Sequence, residues 1–269
     1  MIAALILALQ LVTVTVPSPS PRRSVRALTR PRVVVVDAGH GGRDNGMSGP
    51  LGASPKLFEK DITLDMAHAL RAALIRRGIS VIMTRSTDTL IALGDRGRIA
   101  NQSKGDLFIS VHVNAANPHW KEPSLARGFE TYFLSEAKTE DERRVEAMEN
   151  QAIRFETSVD ATRNDPLSFI IRDMAQNEHL RESARLASLV QNGLAGMHPG
   201  TNRGVKQAGF MVLVTAFMPA VLVEVGFGTN RADAAYISSP VHQRELAETL
   251  AAAAVTYLEQ YERKVGSAP

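Results

Sequence analysis

A single glutamate, Glu224, interrupts the apolar run from Ala220 to Phe227, and two other apolar runs end in histidines, His40 and His112. An unpaired carboxylate in such surroundings is costly, so a residue of this kind serves a proton, a cation or a metal-bound water. Glu59 follows His40 after a loop from Gly46 to Pro55, and with the two histidines it makes three nitrogen and oxygen ligands for Zn2+. That number leaves a fourth position for water, as catalytic rather than structural zinc sites do. Zinc lowers the pKa of such a water to about 7 and polarises a carbonyl. Glu224 then accepts the water proton and returns it to a leaving amine. Taken singly, the residues have plainer readings: a hydrogen-bonded histidine at a strand end, or an acid favoured by the dipole of a helix start. Their joint occurrence favours the metal. The chain has no cysteine, which excludes disulfides and a thiolate metal cage.

The elements that must carry these residues alternate between strand and helix. Val33 to Val36 is a β-branched run ending in Asp37-Ala38-Gly39-His40-Gly41-Gly42, as a buried parallel strand entering a glycine-rich loop would. A helix with Ile62, Met66, Leu70, Ala73 and Leu74 on one face spans Lys60 to Arg77 and stops at Gly78, and a strand over Ile79–Thr84 follows. This order implies a right-handed βαβ unit. Further expectations are a helix from Gly94 to Ala100, strands over Leu107–Val113 and Gly128–Leu134, a helix through Leu194, a strand over Gly209–Leu213, the Glu224 strand, and a helix from His242 to Tyr261. The fold class is therefore α/β, a single domain over 32–262 with a mixed, mostly parallel sheet flanked by helices, and a tail at 263–269. His40 and His112 fall at carboxyl ends of strands, where open α/β sheets bind ligands. His68, His119, His179, His198 and His242 lie in helices or loops and are assigned no chemistry. The glycines at 39, 41 and 42 lack the Gly-Lys-Ser/Thr of a phosphate loop.

At 269 residues the chain can bury one full core, and its net charge of +3 without a basic block or interleaved aromatics makes no demand for a nucleic-acid partner. Residues 1–21 contain an apolar run broken by Pro17, Pro19 and Pro21, which reads as an export signal or an N-terminal anchor; 22–31 is a linker. The run is short for a bilayer span. An exported location, in the periplasm or cell envelope, follows from that reading.

Four blocks, Asp37 to Asp44, Phe58-Glu59-Lys60, Leu107 to Ala115 and Val221 to Phe227, resemble in order the motifs of zinc-dependent N-acetylmuramoyl-L-alanine amidases, the amidase-3 family that includes bacterial cell-division amidases. The resemblance spans roughly Val33 to Tyr261. It implies hydrolysis of the amide between N-acetylmuramic acid and L-alanine in peptidoglycan, with His40, Glu59 and His112 as zinc ligands and Glu224 as the catalytic carboxylate. Asp37 and Asn114 are expected to orient the ligands from behind. Ala38 stands where the family usually has proline, and Gly228-Thr229-Asn230 where Ile-Ser-Asn is commoner. The rival readings are a zinc carboxypeptidase or endopeptidase acting within the stem peptide and a non-catalytic peptidoglycan-binding protein, although binding alone needs no proton shuttle.

Residues 136–167 form an acid-rich helical insertion in which Val145, Met148, Ala152 and Ile153 share one face with Glu149. Glu149-Asn150 resembles the Glu-Asn of the regulatory helix of division amidases, which implies that Glu149 is an inhibitory fourth zinc ligand until an activator protein withdraws the helix. Alternatively Glu149 reaches solvent, or pairs with Arg144 or another arginine.

Overall fold

The computed structural model describes residues 30–54, 56–156 and 166–266. Residues 1–21, read from the sequence as an export signal or anchor, and most of the expected linker lie outside these residues. A six-stranded sheet has the order β4-β1-β5-β8-β6-β7. Its strands are β1 (Val33–Ala38), β4 (Ser80–Met83), β5 (Leu107–Asn114), β6 (Phe129–Leu134), β7 (Asn202–Ala208) and β8 (Ala220–Phe227). All neighbours run parallel except β6 against β8, so the sheet is mixed and mostly parallel. The three strands that end at the expected site, β1, β5 and β8, lie adjacent in its centre. β5 and β8 are buried along their whole length, as continuous apolar runs covered on both faces must be.

Helices α1 (Glu59–Ile75), α4 (Pro166–Ala195) and α7 (Pro240–Gly266) cover one face of the sheet. Ile62, Met66, Leu70 and Leu74 of α1 and Leu246, Leu250 and Ala254 of α7 meet Val34, Ile109 and Val223 there. The helices α2 (Leu93–Gln102), α3 (Glu140–Asn150) and α5 (Met211–Val214) cover the other face, with Val145 of α3 packed into the cluster of Phe108, Tyr132, Phe210 and Leu222. A two-stranded ribbon, β2 (Ser48–Gly49) with β3 (Leu57–Phe58), lies in the loop between His40 and Glu59, and α6 (Arg231–Ile237) follows β8. Among the described residues, no helix is long and apolar enough to cross a membrane.

Two expectations are corrected. The stretch Gly209–Leu213 is not a strand: Met211–Val214 forms the turn of α5, whose Val212 and Leu213 are apolar because they plug the core from above the sheet. The strand is instead β7, an edge strand pairing only with β6 and carrying Asn202, Arg203, Lys206 and Gln207, too polar to read as a core run. The C-terminal helix also continues to Gly266, so the start of the expected tail is helical. The described part of the insertion is α3 and a 3-10 turn over Gln151–Phe155. Helix α3 opens with a capping box, Thr139 accepting from the Glu142 backbone N–H while the Glu142 carboxylate accepts from that of Thr139.

Candidate metal centre

The chain leaves β1 through a tight turn in which His40 itself has a φ of 60°, a conformation that a non-glycine residue holds only when its surroundings enforce it. Two buried arginines do so. Arg96 donates to the carbonyls of Ala38 and His40 at 2.7 and 2.9 Å, and Arg85 to those of Ala38 and Gly39 at 2.9 and 2.8 Å. The Arg96 charge is balanced by Asp37, 2.9 Å away, which also accepts from Thr84 and Ser110. Asp37 thus acts on His40 through Arg96 and the main chain, and makes no side-chain bond to a ligand. The His40 ring is oriented by Asp44, whose carboxylate lies 2.8 Å from Nδ1, so that Nε2 faces the cleft.

Glu59 is the first residue of α1 and its carboxylate is pinned by two backbone donors, Met47 N–H and Val113 N–H, both at 2.8 Å. Gly46 makes this approach feasible, since a Cβ there would lie 2.6 Å from Glu59 Oε2 and 2.7 Å from the His40 ring. His112 points from β5 with Nδ1 inward. Its ring lies against Gly39, where a Cβ would meet it at 2.6 Å.

These elements bring four side chains to one point. His40 Nε2 lies 3.2 Å from Glu59 and 3.1 Å from Glu149; His112 Nδ1 lies 3.2 Å from Glu59 and 2.7 Å from Glu149. One ligand atom from each of the four falls within 4.8 Å of the others, and all four residues are buried. Glu224 stands beside them on β8, in register with His112 of the parallel neighbour β5, so the two side chains project from the same face.

The chemistry of this set fits a divalent cation. His40 Nε2, His112 Nδ1 and both carboxylate oxygens of Glu149 and of Glu224 are buried without a hydrogen-bond partner. A folded protein rarely leaves that many polar atoms unsatisfied together unless an ion or water answers them. Two imidazoles and a carboxylate are the ligand types of zinc. Burial disfavours charge on both histidines, yet the carboxylates of Glu59 and Glu149 hold their pKa above the ordinary value, that of His112 at about 10. The same carboxylates are held low, against burial, by His40 and His112. Glu224 differs: burial first, then the charge of Glu149, pushes its carboxyl well up.

Glu149 therefore neither reaches solvent nor pairs with an arginine. Arg144 pairs with Asp141 at 3.0 Å, donates to the Ala115 carbonyl at 2.9 Å and lies over Trp120. Further bonds seat α3: Glu146 accepts from Gly209 N–H at 2.9 Å, and Asn150 accepts from Met211 N–H at 2.9 Å. Asn114 turns away from the cluster, its amide donating to Glu130 on β6, so it braces the cleft wall rather than orienting a ligand. Among the described residues the other histidines do not join the cluster. His198, for example, bonds the Val225 carbonyl at 3.0 Å. Sequence reasoning missed Asp44, Arg85, Arg96 and Glu130.

A family model described as N-acetylmuramoyl-L-alanine amidase matches residues 34–256. The chain is 30% identical over 236 residues to the N-acetylmuramoyl-L-alanine amidase AmiA of Escherichia coli strain K12, covering 87% of this chain and 78% of that one. It is 32% identical to AmiC of Neisseria meningitidis serogroup B over 85% of its own length and 53% of the relative's. The crystal structure of an N-acetylmuramoyl-L-alanine amidase from Clostridium difficile 630 superposes with a TM-score of 0.63 at 27% identity, covering 85% of this chain and 97% of that one.

Proposed function

The chain belongs to the N-acetylmuramoyl-L-alanine amidase family and is an amidase, and from that premise we propose that it is an exported, zinc-dependent enzyme acting on peptidoglycan during cell-wall remodelling or daughter-cell separation. The bond is the amide between the lactyl carbonyl of N-acetylmuramic acid and the nitrogen of L-alanine. His40, Glu59 and His112 hold the zinc. The observation that carries this reading is the convergence of these three residues with Glu149, beside Glu224 on the neighbouring strand.

When bound, zinc supplies Lewis acidity toward the carbonyl and acidifies water at neutral pH. Glu224 receives a proton from the attacking water at its carboxylate and delivers it to the L-alanine nitrogen as the C–N bond breaks, leaving a lactyl carboxylate and a free amine. Asp44 and the backbone donors of Met47 and Val113 keep His40 and Glu59 in place through that cycle. Glu149, reaching the same point from α3, is an autoinhibitory group that occupies the substrate's side of the centre until an activator protein draws α3 away.

Metal analysis of the purified protein, together with mass spectrometry of digested sacculi, tests this reading. One zinc per chain and intact glycan carrying free lactyl carboxylates are expected. Muropeptides with shortened stems would assign the chain to peptidase chemistry instead.

A further inference from the structure

Helix α3 brings two carboxylates to the cleft. Glu149 faces His40 and His112, while Asp141, two turns earlier, sits between Arg203 and Lys206 of β7 at 3.1 and 3.0 Å. These cations are set into the wall, their side chains 24% and 16% exposed. Both also reach Oε2 of Glu130, which is fully buried on β6 opposite Glu224. Asn114 and the Tyr132 hydroxyl donate to the other Glu130 oxygen and fix it in place.

The charge count changes when α3 leaves. Docked, two cations of β7 face two carboxylates, Glu130 and Asp141; Arg144, the other partner of Asp141, belongs to α3 and departs with it. Undocked, Arg203 and Lys206 share Glu130 alone, and one positive charge in a half-buried trough lacks its counter-charge. Such a site favours an anion that restores the lost pairing, and arginine's fork suits a carboxylate. We infer that Arg203 and Lys206 form a carboxylate-binding subsite of the substrate cleft, which Asp141 fills in the closed state, and that the group it takes is a free carboxylate of the stem peptide. The inference rests on the amidase reading and on a displaceable α3. Eight residues of helix separate Asp141 from Glu149 by about 12 Å along the axis. An extended peptide advances about 3.3 Å per residue, so the recognised carboxylate sits on about the third residue from the scissile amide.

Two soluble muramyl peptides test it, identical except that the third stem residue carries a free carboxylate or a carboxamide. In the zinc-loaded full chain carrying Asp141→Asn and Glu149→Ala, kcat/KM favours the carboxylate by at least about tenfold, the factor that 1.4 kcal/mol represents. Lys206→Met brings the ratio toward equality and Lys206→Arg retains it; the ratio separates this effect from any disturbance of Glu130, which acts on both peptides alike. The same preference appears as a Kd ratio in the Asp141→Asn, Glu149→Ala, Glu224→Gln protein, whose cleft is free of the Glu149 carboxylate and which binds without turnover. Failure of every form to hydrolyse either peptide, with that binding preference intact, counts against the amidase reading and leaves the subsite standing. Equal Kd values, no binding of either peptide, or a preference undiminished by Lys206→Met overturns the subsite.

Discussion

Asp44 decides which nitrogen His40 presents. Its carboxylate holds Nδ1, so Nε2 is left for a metal, and the same bond makes the imidazole a stronger donor. Asp44→Asn is expected to weaken zinc binding by about 10- to 100-fold, measured by competition with a chelating dye. Glu224 has no comparable tie. Glu224→Gln is expected to keep one zinc and lose at least about 10²-fold in rate, whereas His112→Ala loses metal and activity together; dye release from labelled sacculi and metal analysis separate the two. His40, Glu59 and His112 could be read from the sequence because each is a polar residue at an end of an apolar element, and Glu224 because it interrupts one. Asp44 was within reach as well, four positions after His40. Arg96 was not legible: it bonds main-chain carbonyls 56 and 58 residues away as well as the buried Asp37, and no local pattern of side chains announces these partners.

At the scale of elements, the helix-strand alternation and the central strands followed from apolar runs, and α3 from its periodicity; its capping box emerged only in the structure. The failure came where burial and polarity part company. β7 lies at an edge and spends its charged side chains on α3, while the apolar Met211–Val214 segment serves the core as a helical turn. That Glu149 would share a stripe with Val145 was readable; that Asp141 would find basic partners on β7 was not, since both depend on how the insertion folds back. If α3 is a brake, Glu149→Ala raises basal hydrolysis severalfold at unchanged zinc content, and deletion of 136–167 does so too. A folded deletion protein of unchanged or lower activity would remove the brake from the account.

For the whole molecule, the buried cluster ties stability to both metal and pH. Without metal, His112 has its pKa raised from 6.5 to about 10 in the folded protein. Stability from its protonation is therefore complete below pH 6.5 and is lost as the pH rises through about 10. In chelator, the melting temperature is expected to fall across that window. Saturating zinc should raise the melting temperature in proportion to the logarithm of its concentration and, by displacing the ring proton, flatten the alkaline decline.

Val145 anchors α3 in the packed layer over the sheet, at 0% exposure among Phe108, Tyr132 and Phe210. A helix seated this way cannot swing out without wetting its socket, and re-exposing one valine costs about 1.5–3 kcal/mol. If α3 is a brake, then with each 1.4 kcal/mol worth a factor of ten that one residue alone would keep an unassisted molecule shut for all but roughly one part in ten to one in a hundred, and the bonds of Asp141 and Glu149 would shut it further. Any partner that relieved such a brake would have to offer the vacated socket or the bared valine a greasy surface of its own.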